Sequence, residues 1–247
     1  EEGFVNEVSV SLDNLKSKGY PTLDIRVVSV NKFIVKVNPV NASSQLDLGE
    51  MFFDGKLNYA QVEGHSKRVS NSFLKNQLVI ANIPDLGGDD DEEGTHYFRG
   101  VVLSWTPDKL CEVFLCDLGI TRNLNPVEMT PVSDDNKKFL SSPSSYVFLT
   151  IPGIVPRKRM DNIPGLSRMN IQDTQWNEGA RKDVEVWLTK YPIKLIYKIR
   201  EDAFSSWYGD FFGAESQESD LVMNDSLSHH LIGCKNVFMN LQALHLI

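Results

Sequence analysis

Cysteine is scarce in this chain. There are three, Cys111, Cys116 and Cys234, with no Cys-x-x-Cys spacing among them. A sparse, odd count builds no disulfide framework, and without paired soft ligands at finger spacing a structural zinc site is excluded by pattern. The thiols read as reduced, in an intracellular protein. Long apolar runs are missing too. None approaches the roughly 18 residues of a membrane-spanning helix, so no membrane partner is expected. The opening Glu1-Glu2-Gly3-Phe4 has neither the basic nor the apolar region of a signal peptide. It also lacks Met, which suggests a piece of a longer protein. Positive charge is in deficit, with 25 Lys and Arg against 33 Asp and Glu and a net charge of −8. An acidic chain repels phosphate backbones, so nucleic acid is a poor partner and a basic peptide an easier one.

The catalytic signatures are missing as well. There is no G-x-x-x-x-G-K-S/T loop, no G-x-G-x-x-G turn and no G-x-S-x-G elbow. His229-His230 is the one histidine pair. It has no Cys or acidic cluster at ligand spacing and is expected in a solvated loop. Nuclease chemistry needs clustered acidic metal ligands with arginines aimed at a phosphate. Asp24, Arg26 and Asp47 are scattered instead. No catalytic residue, metal site or cofactor is expected, and the chain is not read as an enzyme.

What is present is a core. Hydrophobic residues make up 41% of the chain and aromatics 10%, enough for a globular domain. After an N-terminal extension over 1–19, β-branched runs at 24–30 and 33–37 predict a hairpin turning at Asn31-Lys32. Apolar spacing over 44–61 suits a helix. Strands are predicted at 78–81, 97–105 and 112–116, with a loop at 84–94 around Asp89-Asp90-Asp91-Glu92-Glu93. Short strands in such succession suggest a small barrel. A linker begins at 161–165. A helix capped by Asp173 or Thr174 then runs through Trp176, Ala180, Val184, Trp187 and Leu188. Strands follow at 193–199 and 206–212, a polar loop at 213–219, and a last strand at 237–241. Arg157-Lys158-Arg159 is expected in a solvated turn. Trp207-Tyr208 and Phe211-Phe212 are expected in the core. The order predicts a β-dominated α+β fold.

One stretch carries a more specific signal. Tyr97-Phe98-Arg99-Gly100-Val101-Val102 is followed, about ten residues on, by Val113-Phe114-Leu115-Cys116-Asp117-Leu118-Gly119. This resembles the heart of Tudor domains, in which a W-Y-R-A-x-V strand leads by a hairpin to V-x-F-x-D-Y-G-N. Phe33-Ile34-Val35 on one side, and Leu149-Thr150-Ile151 with Pro156 on the other, resemble the flanks of the extended Tudor family. The Trp-containing helix and final strand fit the same plan. The resemblance spans about 20–247. It implies an SH3-like Tudor barrel, 76–150, inserted into an incomplete staphylococcal-nuclease-like, OB-type barrel made of 20–75 and 151–247, with a connecting helix. It also implies a non-enzymatic scaffold of small-RNA (piRNA or siRNA) silencing in cytoplasmic, perinuclear germ granules. Such scaffolds engage Argonaute-class proteins through peptides carrying symmetrically dimethylated arginine.

The chemistry of that reading lies in an aromatic cage. A methylated guanidinium keeps its charge but loses donors, and each aromatic face it meets is worth about 0.5–2 kcal/mol when desolvated. Carried onto this chain, the family's cage aromatics fall on Ile83, Phe98, Leu115 and Leu118, and its amide falls on Ile120. Phe98 alone is aromatic. Arg99 and Asp117 match framework positions that pair across adjacent strands in the family. Gly119 is expected to supply a positive-φ turn. The resemblance therefore implies an interaction module that takes an Arg-Gly-rich or unmodified peptide of an Argonaute-class or germ-granule protein, with little dependence on methylation. Two alternatives stand beside it. One is a dimethylarginine reader with a cage rebuilt from Phe98, Tyr97 or an aromatic from elsewhere in the chain. The other is an RNA-binding module using the nuclease-like barrel.

Overall fold

The computed structural model describes residues 19–37, 73–83, 97–132, 144–158, 171–172, 176–214, 226–234 and 236–239. The extension over 1–18, the helix expected at 44–61, the acidic loop at 84–94 and the linker at 161–165 lie outside them.

In chain order the elements are β1 (Tyr20–Ser29), β2 (Lys32–Val37), β3 (Leu78–Asn82), β4 (Tyr97–Trp105), β5 (Cys111–Leu115) and β6 (Ile120–Leu124). A 3-10 turn at Pro126–Glu128 precedes β7 (Met129–Pro131), β8 (Tyr146–Thr150), β9 (Ile154–Lys158) and β10 (Ile171–Gln172). Then come α1 (Glu178–Lys190), β11 (Ile193–Ala203), β12 (Ser206–Ala214), α2 (Leu227–Gly233) and β13 (Val237–Met239). The fold is α+β and mostly β. Strands in the order β1-β11-β12-β8-β2 close into a barrel, β6-β5-β4-β3-β7 form a five-stranded sheet, and β10-β9-β13 form a small third sheet. The five-stranded sheet is built wholly from sequence lying between barrel strands β2 and β8, so it is an insertion. By compactness the chain divides into two units. One comprises Glu1–Phe33, Leu149–Arg200 and Tyr208–Ile247, the other Ile34–Phe148 with Glu201–Trp207.

In the first unit, α1 buries Ala180, Val184 and Trp187, one stripe at helical spacing. Trp187 packs against Tyr191 at 5.1 Å between ring centroids and against Phe211 at 6.3 Å, and Phe211 meets Phe33 edge-on at 5.0 Å. Phe212, also buried in this unit, packs with Leu195 and Ala214. Several local expectations need correction. The helix is capped by Asn177, whose Oδ1 accepts from the Ala180 N–H at 2.7 Å, and not by Asp173 or Thr174. Trp176 therefore precedes the helix. Any short polar side chain can cap, and the one whose oxygen meets a free amide wins. The hairpin turns at Val30-Asn31, one residue earlier than expected. Arg157 and Lys158 lie in β9, paired with β10 (Lys158 opposite Ile171), and not in a turn. His229 and His230 sit in α2, whose cap Ser226 accepts from the His229 N–H at 3.2 Å, and not in a loop. Gly213 and Ala214 extend β12 into the expected loop, and a Cβ at Gly213 would occupy the place of the Tyr191 ring.

In the second unit the inserted sheet has two faces, set by the two-residue period of its strands. One face gathers Val79, Ala81 and Ile83 with Val102, Val113, Leu115, Leu124 and Met129. The other gathers Phe114 and Cys116 with Ile34 and Phe148. Register is fixed by Ala81 opposite Phe98, Gly100 opposite Leu115, and Leu115 opposite Ile120.

Candidate functional site

β4 is where the two faces separate. Phe98 packs on the first face and Arg99, the next residue, turns to the second. All the positions the motif singles out for ligand contact converge on the first face. Ile83 (8% exposed) and Leu115 (0%) belong to its core, and Phe98, Leu118 and Ile120 are half-buried against that core. Leu115 is a floor and cannot reach a ligand. The remaining three form an apolar shelf with one aromatic ring. Tyr97 does not join it. Tyr97 stands opposite Asn82 while Phe98 stands opposite Ala81, so the two rings leave β4 on opposite sides.

The second face holds the shelf in place. Arg99 is 1% exposed. Its Nε donates to Asp117 Oδ2 at 2.8 Å and its Nη2 donates to Asp117 Oδ1, a bidentate fork. The guanidinium also lies over the Phe204 ring, 5.0 Å from its centroid. Burial pulls the Arg99 pKa down, but the hydrogen bonds and charge of Asp117 outweigh it and hold the group above its ordinary value. The backbone carbonyl of Arg99 accepts from the Cys116 N–H at 3.1 Å and from its Sγ at 3.3 Å. Burial, and then the Asp117 charge, push the Cys116 thiol up, so it stays protonated and is no nucleophile.

Between Asp117 and Ile120 the chain turns back on itself. The N–H groups of Leu118 and Gly119 both donate to the Leu115 carbonyl, at 3.2 and 2.8 Å. Gly119 has φ +66° and its missing Cβ leaves room for the Tyr146 ring. This turn sets Leu118 and Ile120 beside Phe98.

Two contributors carry no signal in the motif. Phe204 and Ser205 tip the hairpin between β11 and β12, far along the chain from Arg99. The Ser205 carbonyl accepts from the Phe148 N–H at 2.7 Å, and Asp202 Oδ2 accepts from the Asn76 amide at 2.7 Å. Among the described residues no group of three His, Cys, Asp or Glu can hold a metal ion, and no helix is long and apolar enough to cross a membrane.

No protein family's sequence profile matches this chain, and neither does any curated protein. Solved structures do. The chain is similar to an extended Tudor domain of mouse TDRD1 in complex with a MILI peptide containing dimethylarginine, at 12% identity and a TM-score of 0.44 over 90% of this chain and 93% of that one. A human TDRD1 extended Tudor domain in complex with a symmetrically dimethylated E2F peptide gives 13% and 0.40, over 90% of each chain. The Drosophila melanogaster Papi extended Tudor domain gives 14% and 0.41, over 90% of this chain and 100% of that one. The chain is thus similar to solved extended Tudor domains.

Proposed function

We propose that this chain is a protein-interaction module that seats a partner peptide on the shelf of Phe98, Leu118 and Ile120, with little dependence on arginine methylation. The observation that carries the reading is the composition of the shelf: one aromatic ring beside aliphatics, over a closed floor of Ile83 and Leu115. Such a surface desolvates the aliphatic stem of an arginine or an apolar side chain. It offers a flat cation a single π face. Three rings missing at about 0.5–2 kcal/mol each remove roughly 1.5–6 kcal/mol of methylarginine affinity. That takes a micromolar reader to about tenfold weaker at the least and beyond millimolar at the most.

Titration with symmetrically dimethylated and unmodified Arg-Gly peptides tests this. The expected result is similar affinity for both, within about threefold, or about 0.7 kcal/mol. Tight binding that requires the methyl groups would overturn it. The finer assignment rests on the motif resemblance: a small-RNA silencing scaffold in cytoplasmic germ granules with an Argonaute-class or germ-granule partner. Affinity capture comparing the unaltered chain with Phe98→Ala and Leu118→Arg tests that part. Identical partners in all three would remove the shelf as the site.

A further inference from the structure

The tip of the β11–β12 hairpin is fixed from several directions. Residues Glu201–Trp207 belong to the same compact unit as Arg99 and Asp117. Within that tip Ser205 has φ +56°, a left-handed conformation uncommon for a residue with a Cβ. Its carbonyl accepts from the Phe148 N–H at 2.7 Å, and its N–H donates to Glu201 Oε1 at 3.3 Å. Its hydroxyl is hydrogen-bonded to that of Ser144. Nearby, the Asn76 amide donates to Asp202 Oδ2 at 2.7 Å. A backbone of this kind persists only where its surroundings over-determine it. The residue that this tip presents to the sheet is Phe204.

Phe204 packs half-buried against Ile34, Phe114, Cys116 and Phe148. Its ring centroid lies 5.0 Å from the central carbon of the Arg99 guanidinium. That guanidinium is therefore held on two sides. Its edge forks onto Asp117 and its flat side meets a ring. The fork sets the direction of the group, and the ring sets its tilt. An aliphatic residue at 204 would fill the same space but give the cation no negative face. The consequences run on along the chain. Asp117 opens the turn in which the Leu118 and Gly119 N–H groups donate to the Leu115 carbonyl. Leu118 and Ile120 leave that turn to pack on the opposite face.

We propose that Phe204 is a positioning residue for the shelf. Its ring fixes the Arg99 guanidinium, the guanidinium fixes Asp117, and Asp117 fixes the turn that sets Leu118 and Ile120 beside Phe98. Phe204 itself touches no peptide, because it packs on the face away from the shelf. The effect on peptide affinity rests on the reading of the shelf as the binding site. The effect on the turn does not, and it is measurable with no ligand present.

The test uses the whole chain with four changes. Phe204→Leu removes the ring. Pentafluorophenylalanine at position 204 keeps the size of the ring and inverts its quadrupole, so the fold is kept while the attraction is lost. Phe204→Tyr is the conservative control. Phe148→Leu takes a different ring from the same cluster. Without ligand, NMR reads proton exchange at the Arg99 Nε–H and the methyl signals of Leu118 and Ile120. Titration with an unmodified Arg-Gly peptide follows. Phe204→Leu and the fluorinated ring should speed Arg99 exchange and weaken the peptide about tenfold each, the size of one desolvated cation–π contact. Both should shift the Leu118 and Ile120 methyls. Phe204→Tyr and Phe148→Leu should leave all three readings in place, although Phe148→Leu lowers the unfolding midpoint. A folded fluorinated chain with unchanged exchange and methyl signals would overturn the proposal. So would equal disturbance of those signals by Phe148→Leu, which would reduce Phe204 to packing. If exchange and methyl signals respond as expected while peptide affinity does not, the positioning stands and it is the shelf that is not the peptide site.

Discussion

Phe98 and Arg99 are neighbours in sequence and belong to opposite faces of one sheet. The Arg99 face is closed on every side. A buried guanidinium is matched by a bidentate carboxylate, an aromatic ring and a turn that bonds back to its own carbonyl. The Phe98 face presents a single ring beside the aliphatic side chains of Leu118 and Ile120. On the proposed reading, the difference means that the residues which shape the surface and those which would give it chemical selectivity are separable. Changing Leu118 or Ile120 alters what the shelf can hold. Changing Arg99 or Asp117 would alter whether there is a shelf.

The largest predicted effect breaks the closed face. Asp117→Ala takes the bidentate carboxylate away from a guanidinium that is almost fully buried, a change that costs about 3–5 kcal/mol. Urea denaturation should show it as a lowered midpoint. Replacing Arg99 by Met in the same chain should recover most of the loss, because an apolar side chain of similar volume leaves no uncompensated charge.

Asp210 supplies the contrasting carboxylate, held among the described residues by hydrogen-bond donors and no cation. It accepts from the Phe211 N–H at 2.8 Å, the Ser228 N–H at 3.3 Å and the Ser228 hydroxyl. Burial pushes its pKa up from 3.8 to about 6, with those donors offsetting part of the rise. A raised pKa means that the folded state holds the proton more tightly than the unfolded chain does. The associated stability is full below pH 3.8 and is lost as pH rises through about 6. Relative to Asp210→Asn, the unaltered chain should therefore lose about 2–3 kcal/mol between pH 4 and pH 7.5. Paired urea titrations across that range measure the difference, and parallel curves would reject it.

Gly119 tests the turn that joins the two faces. Gly119→Ala demands φ near +66° of a residue with a Cβ and drives that atom into the Tyr146 ring. A loss of about 1–2 kcal/mol is expected from the backbone alone, more if the ring cannot move. The same turn carries Leu118, so peptide affinity should fall together with thermal stability.

Much of this was readable before any coordinates. The strand expected at 97–105 is β4 with the boundaries it has, Tyr97–Trp105, and the spacing of Ala180, Val184 and Trp187 predicts the buried stripe of α1. Local signals failed where several residues could do one job. Asp173, Thr174 and Asn177 are all of the type that caps a helix, and it is Asn177 whose side chain accepts from the Ala180 N–H. His229-His230 looked polar enough for a loop, yet Leu227 and Leu231, four apart, bury one side of a short helix. Arg157 and Lys158 belong to a strand because β10 and β13 flank it, which composition alone does not reveal. The depth of Leu115 and the reach of Phe204 to Arg99 were least legible, because both depend on segments distant in sequence.

The smallest effect is also the sharpest test of separable shape and selectivity. Leu118→Tyr with Ile120→Asn introduces one ring and one amide at positions already half-buried beside Phe98. Leu115 is left alone, since it is fully buried and a larger side chain there would strain the core. Fold stability should change by less than about 1 kcal/mol, because both sites are at the edge of the core. Preference for symmetrically dimethylated over unmodified arginine should rise about tenfold, the roughly 1.4 kcal/mol that one desolvated ring and an orienting amide provide. If the framework alone shapes the surface, the gain appears without any change at Arg99 or Asp117. If binding gains nothing while the fold is intact, the shelf does not have the geometry of a cage, and the aliphatic residues mark a surface rebuilt for a different ligand.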